Sequence, residues 1–157
     1  MQKQLEDSLN LKRKMFVARP LYEKKEHLEH EQKTAKKIAT TYGLRLRKMH
    51  MKHGIDFMAF DKSGRAVAVF EVKRRHLKHD DRSHVILSLT KYNRGLEFDR
   101  VNDLNFNFVV DFDDGLFVYE HKHGDSFKII FGGRTDRGDS QDLEPVVQIP
   151  ISRMEKL

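Results

Sequence analysis

The sequence predicts an α/β domain of the α+β kind, with a central mixed sheet flanked by helices in the order α-β-β-β-α-β-β. Three observations carry this reading. Apolar residues recur at spacings of three and four before Gly43. After it they fall on every second residue, and two strand–turn–strand signals flank a second helical stretch. A length of 157 residues suits one domain, expected over residues 21–157, behind a basic N-terminal arm or helix at residues 1–20.

The elements follow in order. Leu28, Ala35, Ile38, Ala39 and Tyr42 define the buried stripe of a helix from Leu21 to about Tyr42, with Gly43 as its stop. LRLRKMH alternates apolar and basic residues as a half-buried strand does. IDFMAF, DKSG and RAVAVFEVK read as strand, tight turn, strand, and the second of these strands is apolar on both faces, which places it centrally in its sheet. Ser83 is placed to cap a helix over HVILSLTKYNRGLEFDRV. FNFVVDF and LFVYEH form a hairpin about DDG, and FKIIF and VVQIPI are further strands around the loop GGRTDRGDSQDLEP.

Composition narrows the function. Eleven Phe and four Tyr call for a packed core rather than a disordered chain. With no Cys there can be no disulfide framework, thiolate zinc site or cysteine nucleophile. No apolar run approaches the roughly 18 residues of a membrane span, so a cytoplasmic protein is expected. The net charge of +6 is uneven: residues 1–53 carry fourteen Lys and Arg against six acids, whereas the rest is slightly acidic. A basic half suits a polyanionic partner, nucleic acid first, though a merely solvated basic surface has the same composition. The spaced histidines (His27/His30, His50/His53, His76/His79, His121/His123) lack a matching third ligand in any recognisable motif and read as surface residues. No phosphate-binding loop, dinucleotide fingerprint or serine-nucleophile motif is present.

Asp56 to Lys73 is the informative stretch. Glu71 and Lys73 lie two apart on the central strand, so they project to one face. Two charges in such a strand cost several kcal/mol unless they are compensated. They are either an ion pair at the strand's exposed end or a metal-binding carboxylate beside a catalytic lysine. The register of the hairpin decides. A turn with an even number of residues sets Phe60 opposite Arg65 and Asp56 opposite Val69. Asp56 is then a diagonal neighbour of Glu71, about 7–8 Å away, and an odd turn sends it to the other face. Glu31 lies on the core-facing stripe of the first helix, where an acid needs a partner; Glu23, Glu26 and Glu29 fit the solvated face.

Glu31, then Gly54-Ile55-Asp56, then Glu71-Val72-Lys73, in this element order and spacing, resembles the PD-(D/E)XK nuclease superfamily over residues 21–120. Ile55 stands where the family's name has Pro. The tail, with Gly132-Gly133-Arg134, Asp136-Arg137-Gly138-Asp139 and Glu144-Pro145, is similar to small phage-encoded members. The resemblance implies a restriction-endonuclease-like core and a divalent-metal-dependent nuclease hydrolysing DNA phosphodiester bonds in phage or mobile-element recombination, repair or processing. It implies Mg²⁺ or Mn²⁺ on Asp56 and Glu71, with the Val72 carbonyl as a further ligand. Glu31 would act through water or toward a second ion, and Lys73 would orient or deprotonate the attacking water. Lys91 would meet the scissile phosphate, with Ser88 and Tyr92 beside it. Arg74, Arg75, Lys78, Arg82 and Arg94 are candidates for tracking the DNA backbone, and Arg134 and Arg137 for entering a groove. A homodimer is expected for duplex cleavage, and branched or single-stranded DNA is a candidate substrate. The alternative is a non-catalytic nucleic-acid-binding domain on the same fold.

Overall fold

A computed structural model describes residues 25–133, 136 and 143–157. The expected arm at 1–20 and the candidates Arg134 and Arg137 lie outside these residues. The apolar stripe before Gly43 folds as helix α1 (Lys25–Tyr42), which Gly43 ends at φ +64°. Its buried residues are Thr34, Ala35 and Ile38. Leu28 and Tyr42, expected in that stripe, are 38% and 42% exposed. The buried face is turned toward Thr34, whose hydroxyl donates to the buried Asp111 carboxylate at 3.0 Å.

Beyond Gly43 the chain builds a six-stranded mixed sheet. Its strands are β1 (Arg45–Lys48), β2 (Phe57–Phe60), β3 (Ala66–Arg74), β5 (Asn105–Phe112), β6 (Gly115–Glu120) and β9 (Glu155–Lys156), in the spatial order β1-β2-β3-β5-β6-β9. The doubly apolar strand β3 is central, antiparallel to β2 and parallel to β5. A second sheet holds β4 (His84–Ser88), β8 (Leu143–Pro150) and β7 (Ile129–Gly133), in the order β4-β8-β7.

One expected helix is shorter than its sequence suggested. HVILS is strand β4, and helix α2 covers only Leu89–Asn102. Val85 and Leu87 are buried while His84, Ile86 and Ser88 are half-buried, a period of two that the apolar run concealed. The predicted order therefore gains a strand before α2, and β9 follows at the end.

The main sheet is packed on both faces. Ala35 and Ile38 of α1 lie on Phe57, Ala59, Ala68, Phe70 and Val109. On the other face Val69, Phe106, Phe108 and Val110 meet Tyr92 of α2 together with Val85, Leu87, Val147 and Ile149 of the second sheet. Helix and sheet approach closely at Gly95, where an added Cβ would stand 2.5 Å from the Phe106 ring. No described helix is long and apolar enough to cross a membrane.

The β2–β3 hairpin sets the register on which the constellation depends. Phe60 pairs with Ala66, not Arg65, leaving the odd turn 61–65. Asp61 shapes that turn by accepting from the Ser63 and Arg65 amides at 2.9 and 3.0 Å. Ala59 pairs with Ala68, so Val67 is an extra residue, a bulge that cancels the odd count. Beyond it Met58 faces Val69 and Phe57 faces Phe70. Continued by one residue, this register sets Asp56 directly across from Glu71 on the same face, rather than diagonally from it.

Candidate active site

The site lies where β3 leaves the core. Glu71 and Lys73 project toward α2 and β4, and Glu71 is only 4% exposed. Asp56 ends the connection from β1. That connection passes through a short 3₁₀ turn (Met51–His53) and Gly54 at φ +71°. Arg94 of α2 fixes the turn by donating to the His53 carbonyl at 2.8 Å, and Met49 N–H donates to the Asp56 carbonyl at 2.8 Å. The Asp56 carboxylate accepts the Val72 amide through Oδ2 at 2.9 Å. An extended residue directs its N–H and C=O to the same side, so the Val72 carbonyl points toward Asp56 as well.

Lysines surround these acids. Lys91 Nζ donates to Glu71 Oε1 and lies 3.8 Å from Asp56 Oδ1. Lys48 Nζ donates to Glu31 and lies 3.8 Å from the same Asp56 oxygen. Glu31 thus joins the cluster from the α1 side of the sheet, through Lys48. Lys73 Nζ donates to the Ile86 carbonyl at 3.4 Å.

Burial perturbs the titration of these groups. It pushes the Glu71 carboxyl up to about 8; nearby Asp56 adds to the rise, and Lys91 opposes it without cancelling it. Burial, with Arg75 nearby, lowers the Lys73 ammonium to about 8, against the pull of Glu71. Burial also acts to lower Lys91, but the Glu71 and Asp56 carboxylates prevail and hold it above its ordinary value. A buried acid and a buried amine that both titrate near neutrality mark a place suited to chemistry rather than to stability.

The donor set fits a hard divalent cation. Glu71 Oε2 is buried and has no hydrogen-bond partner, Asp56 stands across from it, and all the convergent donors are oxygens. Asp56, Glu71 and the Val72 carbonyl are the residues that would hold such an ion.

The remaining candidates divide. Ser88 Oγ donates to Glu144 Oε2 at 2.9 Å at the start of α2, and Arg75 is near enough to Lys73 to depress its basicity. Arg74 faces the other side of β3, where it donates to the Asp111 carbonyl at 2.7 Å and pairs with Asp113. Tyr92, expected at the nucleic-acid surface, is 7% exposed and packs edge-on to Phe106, Phe127 and His121. A helix that presents Lys91 to the site turns the next residue, about 100° round, into the core.

Two residues of the cluster were not among the sequence candidates. Lys48 had a signal, since Leu44 and Leu46 set an apolar face on which Lys48 is the next residue. Glu144, whose charge acts on Lys73, lies on β8 far along the chain; the sequence offered it only within the tail's Glu144-Pro145, with nothing to link it to the site. A separate group, His79, Asp80 and Asp114, brings three ligand atoms within 4.8 Å of one another. There His79 Nδ1 is 2.6 Å from Asp114 and its ring stacks on Phe117 at 4.3 Å. That arrangement accounts for the histidine without a metal.

Compared with known families, residues 17–157 match the model described as "Phage putative PDDEXK endonuclease". No curated protein matches the chain.

Proposed function

The chain belongs to this phage PDDEXK endonuclease family, and on that premise we propose that it is a Mg²⁺- or Mn²⁺-dependent nuclease hydrolysing phosphodiester bonds in DNA. Recombination, repair or DNA processing in a phage or mobile element is the setting we infer for it. The observation that carries the reading is Glu71, a buried acid with one oxygen unsatisfied, directly across from Asp56 and two residues from Lys73.

A bound divalent ion supplies charge neutralisation at the scissile phosphate and acidifies water. The side chains do the rest. Asp56, fixed by the Val72 amide, and Glu71 hold their oxygens in one place before substrate arrives. Lys73, with its lowered pKa, takes a proton from the attacking water as the water oxygen bonds to phosphorus. The bond from phosphorus to the leaving oxygen breaks, and that oxygen departs with the bonding pair and gains a proton from solvent. Lys91, which borders Glu71 and Asp56, would direct its charge to the phosphate. Arg75, near Lys73, and Ser88, bonded to Glu144, would position the backbone. Cutting both strands of a duplex with one such site per chain calls for two copies.

The test uses plasmid, single-stranded and branched DNA with Mg²⁺ or Mn²⁺, comparing the wild type with Glu71→Ala and Lys73→Ala and checking folding by circular dichroism. Cleavage by the wild type alone is expected. Cleavage that survives both substitutions would remove the site assignment. Tight binding without cleavage under either metal would favour a non-catalytic DNA-binding domain.

A further inference from the structure

Asp56 Oδ1 has an ammonium on either side at the same distance. Lys91 Nζ and Lys48 Nζ each lie 3.8 Å from it, the first paired with Glu71 and the second with Glu31. A carboxylate shared between two cations, each also held by its own acid, is the arrangement of a two-ion centre. Here the chain fills both places with its own side chains, but it does not hold them equally.

On the Glu71 side the acid keeps a second oxygen that is buried and unpartnered. Lys91 therefore leaves that oxygen unsatisfied, and a divalent ion gains by replacing it. The Glu31 side has no such buried, unpartnered oxygen among the described residues. Lys48 extends from β1 in register with Phe57, and its ammonium lies 5.2 Å from the Phe57 ring centroid while it holds Glu31. Strand, ring and carboxylate direct the ammonium to this place, with the side chain 43% exposed. A divalent ion entering there would meet an ammonium within a few Å, a repulsion of about 2 kcal/mol even at the dielectric of water.

We propose that Lys48 is a built-in cation of the site: its ammonium occupies the place between Glu31 and Asp56 that a second divalent ion would take, and so limits the centre to one. Glu31 then serves as the acid that holds Lys48 beside Asp56, and Lys48 is a positioning residue rather than a catalytic one. The inference rests on the reading of Asp56 and Glu71 as ion ligands.

The test counts ions rather than turnover. Mn²⁺ is titrated into the full-length protein, free Mn²⁺ is followed by electron paramagnetic resonance, and folding is checked by circular dichroism. One bound ion is expected for the wild type and two for Lys48→Met. Lys48→Gln serves as a second removal variant in case the first does not fold. Lys48→Arg, which keeps a cation in place, returns the count to one, as does Lys48→Met combined with Glu31→Gln. Two ions in the wild type, or one in both removal variants, would overturn the role of Lys48 while leaving the ion site itself intact. No ion in any variant would overturn the metal reading, and the inference with it.

Discussion

Two acids are buried on opposite faces of the same sheet, and the fold treats them differently. Asp111, on the face covered by α1, is 8% exposed and surrounded by donors. Its Oδ2 meets His30 Nε2 at 2.5 Å and Thr34 Oγ1 at 3.0 Å, and Arg74 lies 3.9 Å from Oδ1. Glu71, on the α2 face, is 4% exposed; one oxygen meets Lys91 and the other has no hydrogen-bond partner. The first pattern is what a buried charge needs to be tolerated within a fold. The second leaves a cost that folding alone does not explain and that a cation would remove. The contrast marks Asp111 as a structural acid and supports the functional role proposed for Glu71.

Removing the functional acid should have the largest effect. Glu71→Ala is expected to lower DNA cleavage at saturating Mg²⁺ by roughly 10³-fold or more, as loss of several kcal/mol of ion-assisted stabilisation implies. Its circular dichroism spectrum should stay that of the wild type. Single-turnover rates on plasmid DNA measure this, and a fall below tenfold would place Glu71 with Asp111 as a structural acid.

Lys73 comes next. With burial and Arg75 lowering its ammonium to about 8, the fraction able to accept a proton grows as pH rises, and falls away below that value. Cleavage should therefore climb about tenfold per pH unit up to about 8 and level off above it. Saturating Mg²⁺ keeps Glu71 ionised throughout. Lys73→Met should cost about 10²–10⁴-fold and flatten the profile. A profile that keeps its rise in the variant would mean that another group accepts the proton.

The pairing of Asp56 with Glu71 shows how far the sequence could be read. Two-residue alternation was enough to put Glu71 and Lys73 on one face, and the apolar run before them was enough to make β3 central. The register was not legible, because it depends on two features that cancel. The turn has an odd length, which alone would have turned Asp56 away, and the bulge at Val67 turns it back. Local propensity sees neither. HVILS was misread for a related reason: five mostly apolar residues next to a helix fit either period, and only pairing with β8 decides for a strand. Glu144 reaches the site through the same pairing, from more than fifty residues away. Tyr92 was misjudged because nothing in the sequence settles which of two adjacent helical residues faces the core. Lys48 was legible in principle, as a basic residue on the apolar face of β1.

On the structural side the expected effect is smaller and of another kind. Asp111→Ala strips His30, Thr34 and Arg74 of their shared acceptor and should destabilise the protein by about 1–3 kcal/mol. Thermal melting should register a drop of several degrees. Cleavage by the folded variant, measured well below its melting temperature, should stay within a few-fold of wild type. A loss like that of Glu71→Ala would mean that the two faces are not separable.

The smallest effect is the most telling, because it has the opposite sign. The Glu71 carboxyl, pushed up to about 8 by burial and by Asp56, has an ordinary value of 4.5. Between those values the metal-free folded protein holds a proton that the unfolded chain releases, so stability falls as pH rises through the window, and the loss is complete above about 8. Glu71→Gln cannot lose a proton, and its amide oxygen still accepts from Lys91. The variant should therefore match the wild type near pH 4 and be more stable near pH 8.5. The rise from 4.5 to about 8 bounds the gain at about 5 kcal/mol; relaxation and water entry around the ionised acid bring it down to about 1 kcal/mol, or roughly 2–4 °C for a chain of this size. Adding Mn²⁺ should raise the melting temperature of the wild type and leave the variant where it was. No such gain is available at Asp111, whose partners already satisfy it. A Glu71→Gln variant that melts below the metal-free wild type at pH 8.5 would show that Glu71 stabilises the fold, and would erase the difference between the two acids.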